Sequence, residues 1–251
     1  MTGPALPAAF LKGHIAHRGL HSEGVPENSM AAYRAAVELG VAIELDIQPS
    51  SDGVAMAFHD YDLHRLTAAA GPVDAQKAEA LANIPLAGSD EGIPRFADVL
   101  AMVAGRVPLL IEIKDRDGDM GPDVGPLEDA VIADLAGYEG DAAVMSFNPY
   151  SVACFRDRAP HLPRGLVTSA FDARNWPELS HATRDRLRDI PDYEPLGCSF
   201  ISHQANALQM PRVADLKSEG ARILCWTIRS KAEEGQARKI ADAVTFEGYL
   251  P

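Results

Sequence analysis

Eight short apolar runs, rich in β-branched residues, alternate along the chain with amphipathic segments. This alternation predicts βα units and a parallel sheet, since parallel neighbours need a helical crossover between them. The predicted strands are His14–His17, Val41–Ile47, Val107–Lys114, Ala142–Phe147, Leu166–Thr168, Cys198–His203, Arg222–Ile228 and Ala241–Thr245. Helix-like segments include Asn28–Leu39, Leu127–Gly137, Pro149–Ala159, Pro211–Gly220 and Lys231–Lys239. Eight such strands in 251 residues predict an α/β fold, a single (β/α)8 TIM barrel.

One segment interrupts the alternation. After the second strand, Asp52-Gly53 is typical of a hairpin turn, and Val54–His59 is the expected return strand. The following residues, 60–94, are rich in Ala, Gly and Pro and have no strong strand pattern. We expect a small insertion here, too short to form a separate domain. The expected organisation is therefore one barrel domain over residues 1–251 with a short insertion at about 60–94.

The charge balance limits the classes of partner. With 23 Lys and Arg against 36 Asp and Glu, the formal net charge is −13. Nucleic-acid affinity comes from neutralised phosphates, so we expect no nucleic acid as partner and no attraction to an anionic membrane surface. A small anionic substrate stays compatible with this charge where a metal ion or a local pair of basic residues reverses the field.

The location is predicted from apolar runs and cysteines. No apolar run approaches the roughly 18 residues that span a bilayer, and the N-terminus lacks a basic segment and contains Pro4 and Pro7. We therefore expect no membrane insertion and no signal peptide. Cys154, Cys198 and Cys225 lack CxxC spacing, which predicts buried thiols in a reducing compartment. The expected location is cytoplasmic, and a homo-oligomer is left open.

Acidic side chains interrupt two of the predicted strands. Glu44 and Asp46 lie two residues apart, so both point to the same face of their strand. Glu112 and Lys114 repeat this spacing in the next predicted parallel strand. In a barrel the three carboxylates converge inside one end, where oxygen ligands suit Mg²⁺ or Ca²⁺ better than zinc. Inward ion pairs with Lys114 or Arg18 are the alternative, but three carboxylates outnumber two cations, which favours a metal.

Two histidines follow predicted strands. His17 ends the first strand and His59 closes the hairpin strand. A lone histidine at a strand end is more often a hydrogen-bonded structural residue, whereas a pair can act as general acid and base. Together with Arg18, whose guanidinium matches phosphate oxygens bidentately, the pair predicts a phosphoryl site.

Two weaker candidates lie at later strand ends. Trp226 is equally consistent with a substrate platform and with packing at the rim, and for His203 a structural role is favoured. The sequence lacks GxGxxG, GxxxxGK[ST], GxSxG and HExxH, which removes the usual motifs of dinucleotide, NTP, α/β-hydrolase and zincin chemistry.

These residues together resemble the glycerophosphodiester phosphodiesterase family. The opening of that family is similar to Ile15-Ala16-His17-Arg18-Gly19 followed by Pro26-Glu27-Asn28-Ser29. Its second block is similar in order and spacing to Glu44-Leu45-Asp46, Asp52-Gly53 and His59-Asp60. Later blocks are similar to Ile111-Glu112-Ile113-Lys114, Ser146-Phe147 and Cys225-Trp226-Thr227. The resemblance runs from about residue 14 to the C-terminus and is thinner over residues 60–106 and 170–200.

The resemblance implies a barrel enzyme that hydrolyses glycerophosphodiesters to glycerol 3-phosphate and an alcohol. A divalent metal ion, Mg²⁺ or Ca²⁺, would be its cofactor and a small-molecule glycerophosphodiester its substrate. By the resemblance, the metal ligands are Glu44, Asp46 and Glu112, the general acid and base are His17 and His59, the phosphate-binding residues are Arg18 and Lys114, and the residue on the alcohol side is Trp226.

Two departures from the family pattern concern substrate preference. Arg229 stands where the family usually has Asn, and Thr245-Phe246-Glu247-Gly248-Tyr249 replaces the commoner Thr-Asp-x-Pro. The alternatives are a metal-dependent aldolase or lyase on the same fold, a lysophospholipase D-type enzyme acting on larger lipids, and a non-catalytic binder of phosphorylated polyols. The insertion lacks a strongly apolar amphipathic face, which favours soluble substrates, and the histidine pair favours catalysis.

Overall fold

A computed structural model describes residues 3–116 and 118–251 of the chain. Its strands are β1 (His14–Ala16), β2 (Ala42–Pro49), β3 (Ala55–Ala57), β4 (Leu109–Ile113), β5 (Ala142–Ser146), β6 (Arg164–Thr168), β7 (Phe200–Gln204), β8 (Arg222–Ile228) and β9 (Ala243–Phe246). Its α-helices are α1 (Met30–Leu39), α2 (Ala78–Ala82), α3 (Phe96–Val103), α4 (Pro126–Leu135), α5 (Pro149–Arg158), α6 (His181–Arg188), α7 (Pro211–Ser218) and α8 (Lys231–Ala237). Short 3₁₀ turns cover Ala8–Lys12, Leu63–Arg65, Val73–Ala75 and Ala205–Ala207.

The strands run in the order β1-β9-β8-β7-β6-β5-β4-β2-β3, and β1 also pairs with β2. The pairs β1–β2, β2–β4, β5–β6, β6–β7, β7–β8 and β8–β9 are parallel. This order, with helices between successive parallel strands, is that of a (β/α)8 barrel, so the predicted fold class is confirmed. Strand β3 is additional to the eight barrel strands. It runs antiparallel to β2 after the Asp52-Gly53 turn, as the hairpin motif predicts.

All eight predicted barrel strands are present, with ends that differ by a few residues. Helices α2, α3 and α6 are additional to the helix-like segments named from the sequence. The missed helices are at most 8 residues long, and so short a stretch gives little helical periodicity to read. The predicted boundaries of α1 are close, because Ser29 caps its first turn and Gly40 ends it in the left-handed conformation.

The contacts within the chain divide it into two compact units. The N-terminal unit comprises Ile15–Lys114 and Gly125–Ala142. Of the residues that the structure describes, those before Ile15 and those in the ranges Asp115–Val124 and Ala143–Pro251 form the C-terminal unit.

The N-terminal unit contains the insertion, which has a small core of its own. Leu63, Leu81 and Ile93 from the insertion are buried against Met56 and Phe58 of the hairpin. Burial of this apolar surface stabilises the folded insertion and limits the freedom of its backbone.

The C-terminal unit is packed around the strands β6 to β9. Leu166, Ile201, Ile223 and Val244 belong to its main apolar cluster. All three cysteines of the chain are buried in this unit, as the sequence predicts. Among the residues that the structure describes, none of the helices is long and apolar enough to cross a membrane.

Candidate active site

Directly after β1 the chain turns through two left-handed residues, Arg18 with φ 57° and Gly19 with φ 78°. A Cβ on Gly19 would lie 2.9 Å from the Cβ of Ala32 and 3.0 Å from Cδ1 of Tyr33 on α1, so glycine suits both the conformation and the close packing. The backbone N–H of Arg18 donates to Oε2 of Glu44 at 2.9 Å. The left-handed backbone conformation costs free energy for an arginine. Residues strained in this way occur more often at functional sites than elsewhere.

Asn28 links this turn to β2. It is itself left-handed, with φ 54°, a conformation that asparagine tolerates. Its backbone N–H donates to the carbonyl of Arg18 at 2.9 Å, and its Nδ2 donates to Oδ2 of Asp46 at 3.0 Å. Its Oδ1 accepts from the hydroxyl of the buried Tyr33 at 2.8 Å. Asn28 therefore orients one of the predicted metal ligands, a role that was not predicted although the residue lies in the quoted Pro26-Glu27-Asn28-Ser29 motif.

The three predicted metal ligands lie together. Glu44, Asp46 and Glu112 are buried, and one carboxylate oxygen of each lies within 4.8 Å of the others. Asp46 and Glu112 are partners in the parallel register of β2 and β4. Lys114 Nζ lies 2.8 Å from Glu112 Oε1 and 3.3 Å from Asp46 Oδ1, while Arg18 Nε lies 3.3 Å from Asp46 Oδ2. The carboxylate cluster and the alternative ion pairs thus occur at the same place.

The carboxylates of this cluster differ in how well their charge is balanced. Burial, followed by the negative charges of Asp46 and Glu112, raises the pKa of Glu44 well above its usual range. Burial acts in the same direction on Asp46, but Lys114, His59 and Arg18 outweigh it and hold the pKa of Asp46 well below its usual range. Three acids thus face two strong cations, and Glu44 is the acid left without enough positive charge. An all-carboxylate donor set with excess negative charge fits a hard divalent cation.

His59 lies at the end of the hairpin and is partly buried. Its Nδ1 lies 2.6 Å from Oδ1 of Asp60, and since a carboxylate only accepts, Nδ1 carries the hydrogen and Nε2 is left to take up a proton. Nε2 of Gln48 donates to the carbonyls of His59 and Asp60 at 3.2 and 3.3 Å, which fixes this backbone. Asp60 was not predicted as a site residue, although it stands in the quoted His59-Asp60 motif. His17, also partly buried, directly precedes Arg18.

Trp226 belongs to the C-terminal unit, where its surroundings are aromatic and polar. Its indole N–H donates to the carbonyl of Ser202 at 3.0 Å. Its ring contacts Phe147 edge to face with centroids 5.7 Å apart, and Phe147 lies 4.9 Å from the ring of Trp176. Trp226 also lines a cavity of about 520 Å³. The amide side chains that line this cavity are Gln204, Asn206, Gln209 and Gln236.

His203 has the contacts of a structural residue, the role that the sequence favours. It is fully buried, with Nδ1 2.8 Å from Oγ1 of Thr168 and Nε2 3.2 Å from the carbonyl of Ala207. The carbonyl can only accept, so Nε2 carries the hydrogen. Burial lowers the pKa of this imidazole to about 4.

The two departures from the family pattern meet in space. Arg229 Nη2 lies 2.7 Å from Glu247 Oε1. Arg229 also lines the cavity beside Trp226. Each of the two unusual residues therefore balances the charge of the other at the edge of this cavity.

The chain is similar to known proteins over most of its length. Residues 17–246 match the family model described as the glycerophosphoryl diester phosphodiesterase family. A glycerophosphodiester phosphodiesterase of Caldanaerobacter subterraneus is 34% identical over 172 residues, which are 64% of this chain and 69% of the relative. A glycerophosphodiester phosphodiesterase of Bacillus subtilis is 28% identical over 246 residues, 87% of this chain and 77% of the relative.

Solved structures share the fold. A phosphodiesterase of Oleispira antarctica, in complex with the product sn-glycerol-3-phosphate, superposes with a TM-score of 0.79 at 24% identity. The match covers 95% of this chain and 94% of the solved one. At this identity the likeness supports the barrel fold.

Proposed function

The chain belongs to the glycerophosphoryl diester phosphodiesterase family, and on that premise we propose that it releases glycerol 3-phosphate and an alcohol by a metal-dependent reaction with two catalytic histidines. It is an enzyme of the phosphoric diester hydrolase class. The observation that carries the proposal is the cluster of Glu44, Asp46 and Glu112, buried within 4.8 Å of one another beside two basic residues.

The cluster fits a divalent cation, Mg²⁺ or Ca²⁺, held by Glu44, Asp46 and Glu112. When bound, such an ion supplies positive charge that polarises a phosphoryl oxygen. Burial and the negative charges of Asp46 and Glu112 raise the pKa of Glu44, and a cation relieves this penalty on the ionised carboxylate.

Arg18 and Lys114 bind the oxygens of the phosphodiester. The carboxylates around them outweigh the effect of burial and raise the pKa of each, so both stay charged. Their positive charge stabilises the negative charge that grows on the phosphoryl oxygens in the transition state. The left-handed turn and the hydrogen bond to Glu44 hold Arg18 in place before substrate arrives, so little reorganisation is needed.

His17 and His59 move the protons. Asp60 fixes the tautomer of His59 so that Nε2 accepts a proton. His17 is the second histidine of the acid–base pair. One imidazole takes the proton of the attacking oxygen, from water or from the 2-hydroxyl of the glycerol, as that oxygen bonds to phosphorus, and the other protonates the oxygen of the leaving alcohol as its bond to phosphorus breaks. Attack by the 2-hydroxyl gives a cyclic phosphate, which water then opens to glycerol 3-phosphate. Each transfer contributes roughly 10²- to 10⁴-fold.

The test is an assay of the purified full chain for release of glycerol 3-phosphate. The panel comprises glycerophosphodiesters with choline, ethanolamine and glycerol as the alcohol, and a lysophospholipid for the alternative of larger lipids. Cleavage of the lysophospholipid leaves the acyl chain on the glycerol, so it is followed by release of the headgroup alcohol. We expect turnover of the soluble diesters with Mg²⁺ or Ca²⁺ and its loss with a chelator. Absence of turnover with either ion rejects the proposed activity, and chelator-resistant turnover rejects the metal dependence.

The histidines are tested separately. We expect His17→Ala and His59→Ala each to lower kcat by about 100-fold or more. A bell-shaped pH profile of kcat that persists unchanged in both variants rejects the two-histidine scheme while leaving the activity itself intact.

A further inference from the structure

We propose that Arg65, which is carried by the insertion, is a positioning residue that holds both Arg18 and His59 through the carboxylates of Glu27 and Asp60. The inference rests on the proposed function, because it assigns phosphate binding to Arg18 and proton transfer to His59. It also gives the insertion a part in the reaction.

Arg65 binds two carboxylates at once. Its Nε and Nη2 donate to Oδ2 and Oδ1 of Asp60 at 2.5 and 2.9 Å. Its Nη2 and Nη1 donate to Oε1 and Oε2 of Glu27 at 2.7 and 3.1 Å. Both pairs are bidentate, the arrangement in which a planar guanidinium fixes the angle of a carboxylate as well as its distance.

Each carboxylate passes this orientation to a residue of the site. Oε1 of Glu27, one of the atoms bound by Arg65, also accepts from Nη1 of Arg18 at 2.6 Å. Oδ1 of Asp60, another such atom, is the partner of Nδ1 of His59 at 2.6 Å. One nitrogen of Arg65, Nη2, therefore contacts both of the oxygens that face the site. Without Arg65 the two anions repel each other and each is free to rotate away from its partner.

The charges of this network favour the same arrangement. Burial raises the pKa of Glu27, but the hydrogen bonds and charges of Arg65 and Arg18 outweigh it and lower that pKa. The pKa of Asp60 is held well below its usual range, since hydrogen bonds from His59 and Arg65 outweigh burial. Both carboxylates are thus ionised near neutral pH, where they accept from Arg65 and from the site residue together.

The backbone of Arg65 is held by the core of the insertion. Arg65 ends the 3₁₀ turn Leu63–Arg65, which Asp62 caps through the N–H of His64 at 2.9 Å. Leu63 is buried in the apolar cluster of the insertion. The side chain of Arg65 is 43% exposed, so its substitution leaves that core intact.

Two substitutions separate charge from shape. Arg65→Gln removes the charge and the fork, whereas Arg65→Lys keeps the charge but offers a compact ammonium that cannot make two bidentate pairs. Arg34→Gln is the matched control, since Arg34 is 49% exposed and pairs with Glu91, another acid of the insertion. The readouts are kcat and KM for glycerol 3-phosphate release, calorimetric binding of glycerol 3-phosphate, and the thermal midpoint.

We expect Arg65→Gln to lower kcat/KM by about 10- to 100-fold, as substitutions of residues that orient a functional group do. The loss divides between a higher KM, through Arg18, and a lower kcat, through His59. Arg65→Lys recovers part of it, and Arg34→Gln behaves as wild type. Wild-type kcat and KM in a folded Arg65→Gln variant overturn the proposal. If that variant fails to fold, Arg65→Lys decides, and wild-type kinetics in Arg65→Lys overturn it.

A cycle of variants tests whether Arg65 acts through the two carboxylates. Glu27→Gln is expected mainly to raise KM, and Asp60→Asn mainly to lower kcat. In a double variant that combines Glu27→Gln with Asp60→Asn, adding Arg65→Gln is expected to change kcat/KM by less than about twofold. The reason is that both carboxylates that Arg65 binds are already removed. A further loss as large as that of the single variant identifies a merely structural role and rejects the proposal.

Failure of the proposed function is recognised separately. A wild-type chain without turnover under any cation rejects the enzyme activity, whatever Arg65 does. In that case binding of glycerol 3-phosphate still reports whether Arg65 positions Arg18 through Glu27. Equal affinity of wild type and Arg65→Gln for glycerol 3-phosphate then contradicts the positioning role.

Discussion

The carboxylate site of the N-terminal unit and the cavity beside Trp226 in the C-terminal unit are built by opposite means. In the first, each acid contacts a basic side chain or a backbone N–H, and Asp46 by itself contacts three side chains, those of Lys114, Arg18 and Asn28. In the second, Trp226 makes a hydrogen bond and an edge contact with a ring, beside neutral amides and the exposed side chains of Arg229 and Glu233. Buried charges demand fixed partners, whereas aromatic and amide surfaces accept several arrangements.

The difference indicates how the two regions tolerate change. Substitution of one charge in the first region leaves its buried partners unbalanced. Substitution in the second removes contact area and one hydrogen bond at a time. We therefore expect the largest effect of a substitution in the charged cluster and the smallest at the cavity.

The largest effect is expected for Glu44→Gln. We expect loss of this proposed ligand to lower kcat/KM by on the order of 1000-fold, about 4 kcal/mol, because a bound cation would lose one of its three acids. In chelator the same variant is more stable than wild type above about pH 4.5, the usual glutamate pKa. The folded-state pKa of Glu44 is raised, so its contribution to stability is present at low pH and is lost as the pH rises.

Activity assays and denaturant unfolding in chelator check the two halves of this prediction. Gln keeps the shape of the side chain, which makes it the matched replacement for a protonated Glu. Glu44→Gln with wild-type turnover contradicts its role as a ligand. If Glu44→Gln is less stable than wild type at pH 8 in chelator, the carboxylate cluster does not carry an excess of negative charge.

The next largest effect is a pH dependence of stability in the C-terminal unit. The pKa of His203 is about 4 in the folded chain, against about 6.5 when unfolded. Its neutral form contributes stability that is complete above pH 6.5 and is lost as the pH falls towards 4, in total about 3 kcal/mol. Unfolding curves between pH 4 and 7 measure this loss.

The control for His203 is His181, whose side chain is 82% exposed. We expect His203→Gln to flatten the dependence between pH 4 and 6.5 and His181→Gln to leave it unchanged. Equal slopes in wild type and His203→Gln contradict burial of a neutral imidazole.

A smaller effect is expected for Gly19→Ala. The added Cβ meets both the left-handed φ of 78° and the contacts at 2.9 and 3.0 Å with Ala32 and Tyr33, which together cost about 2 kcal/mol. Gly24→Ala is the matched control, because Gly24 has φ 75° but nothing within 4 Å of an added Cβ. The difference in unfolding free energy between the variants isolates the packing against α1. Equal losses show that the close contacts relax.

The sequence predicts the fold and the charged cluster from the same signal. Acids at alternate positions of apolar strands, as in Glu44 and Asp46, can be placed from strand geometry alone. The partners of these residues are harder to predict, because Asn28, Asp60 and Arg65 act through hydrogen bonds that depend on the loop conformations. Arg65 in particular lies in a segment without regular periodicity, and its partner Glu27 is 38 residues away. Pairings of this kind become visible only when the loops are folded.

The smallest effect is expected at Trp226, where one pair of variants separates its two kinds of contact. Trp226→Phe keeps an aromatic ring near Phe147 but loses the hydrogen bond to the carbonyl of Ser202, and Trp226→Leu loses both. Loss of the edge-to-face pair with Phe147 lowers the free energy of unfolding by about 1 kcal/mol. Loss of one ring contact of that size with a bound alcohol lowers kcat/KM of Trp226→Leu by about fivefold. If Trp226 contacts the alcohol, the loss varies with the alcohol across the diester panel. A loss of kcat/KM that is equal for the choline, ethanolamine and glycerol diesters instead assigns Trp226 to packing. In that case the cavity beside Trp226 does not select the alcohol.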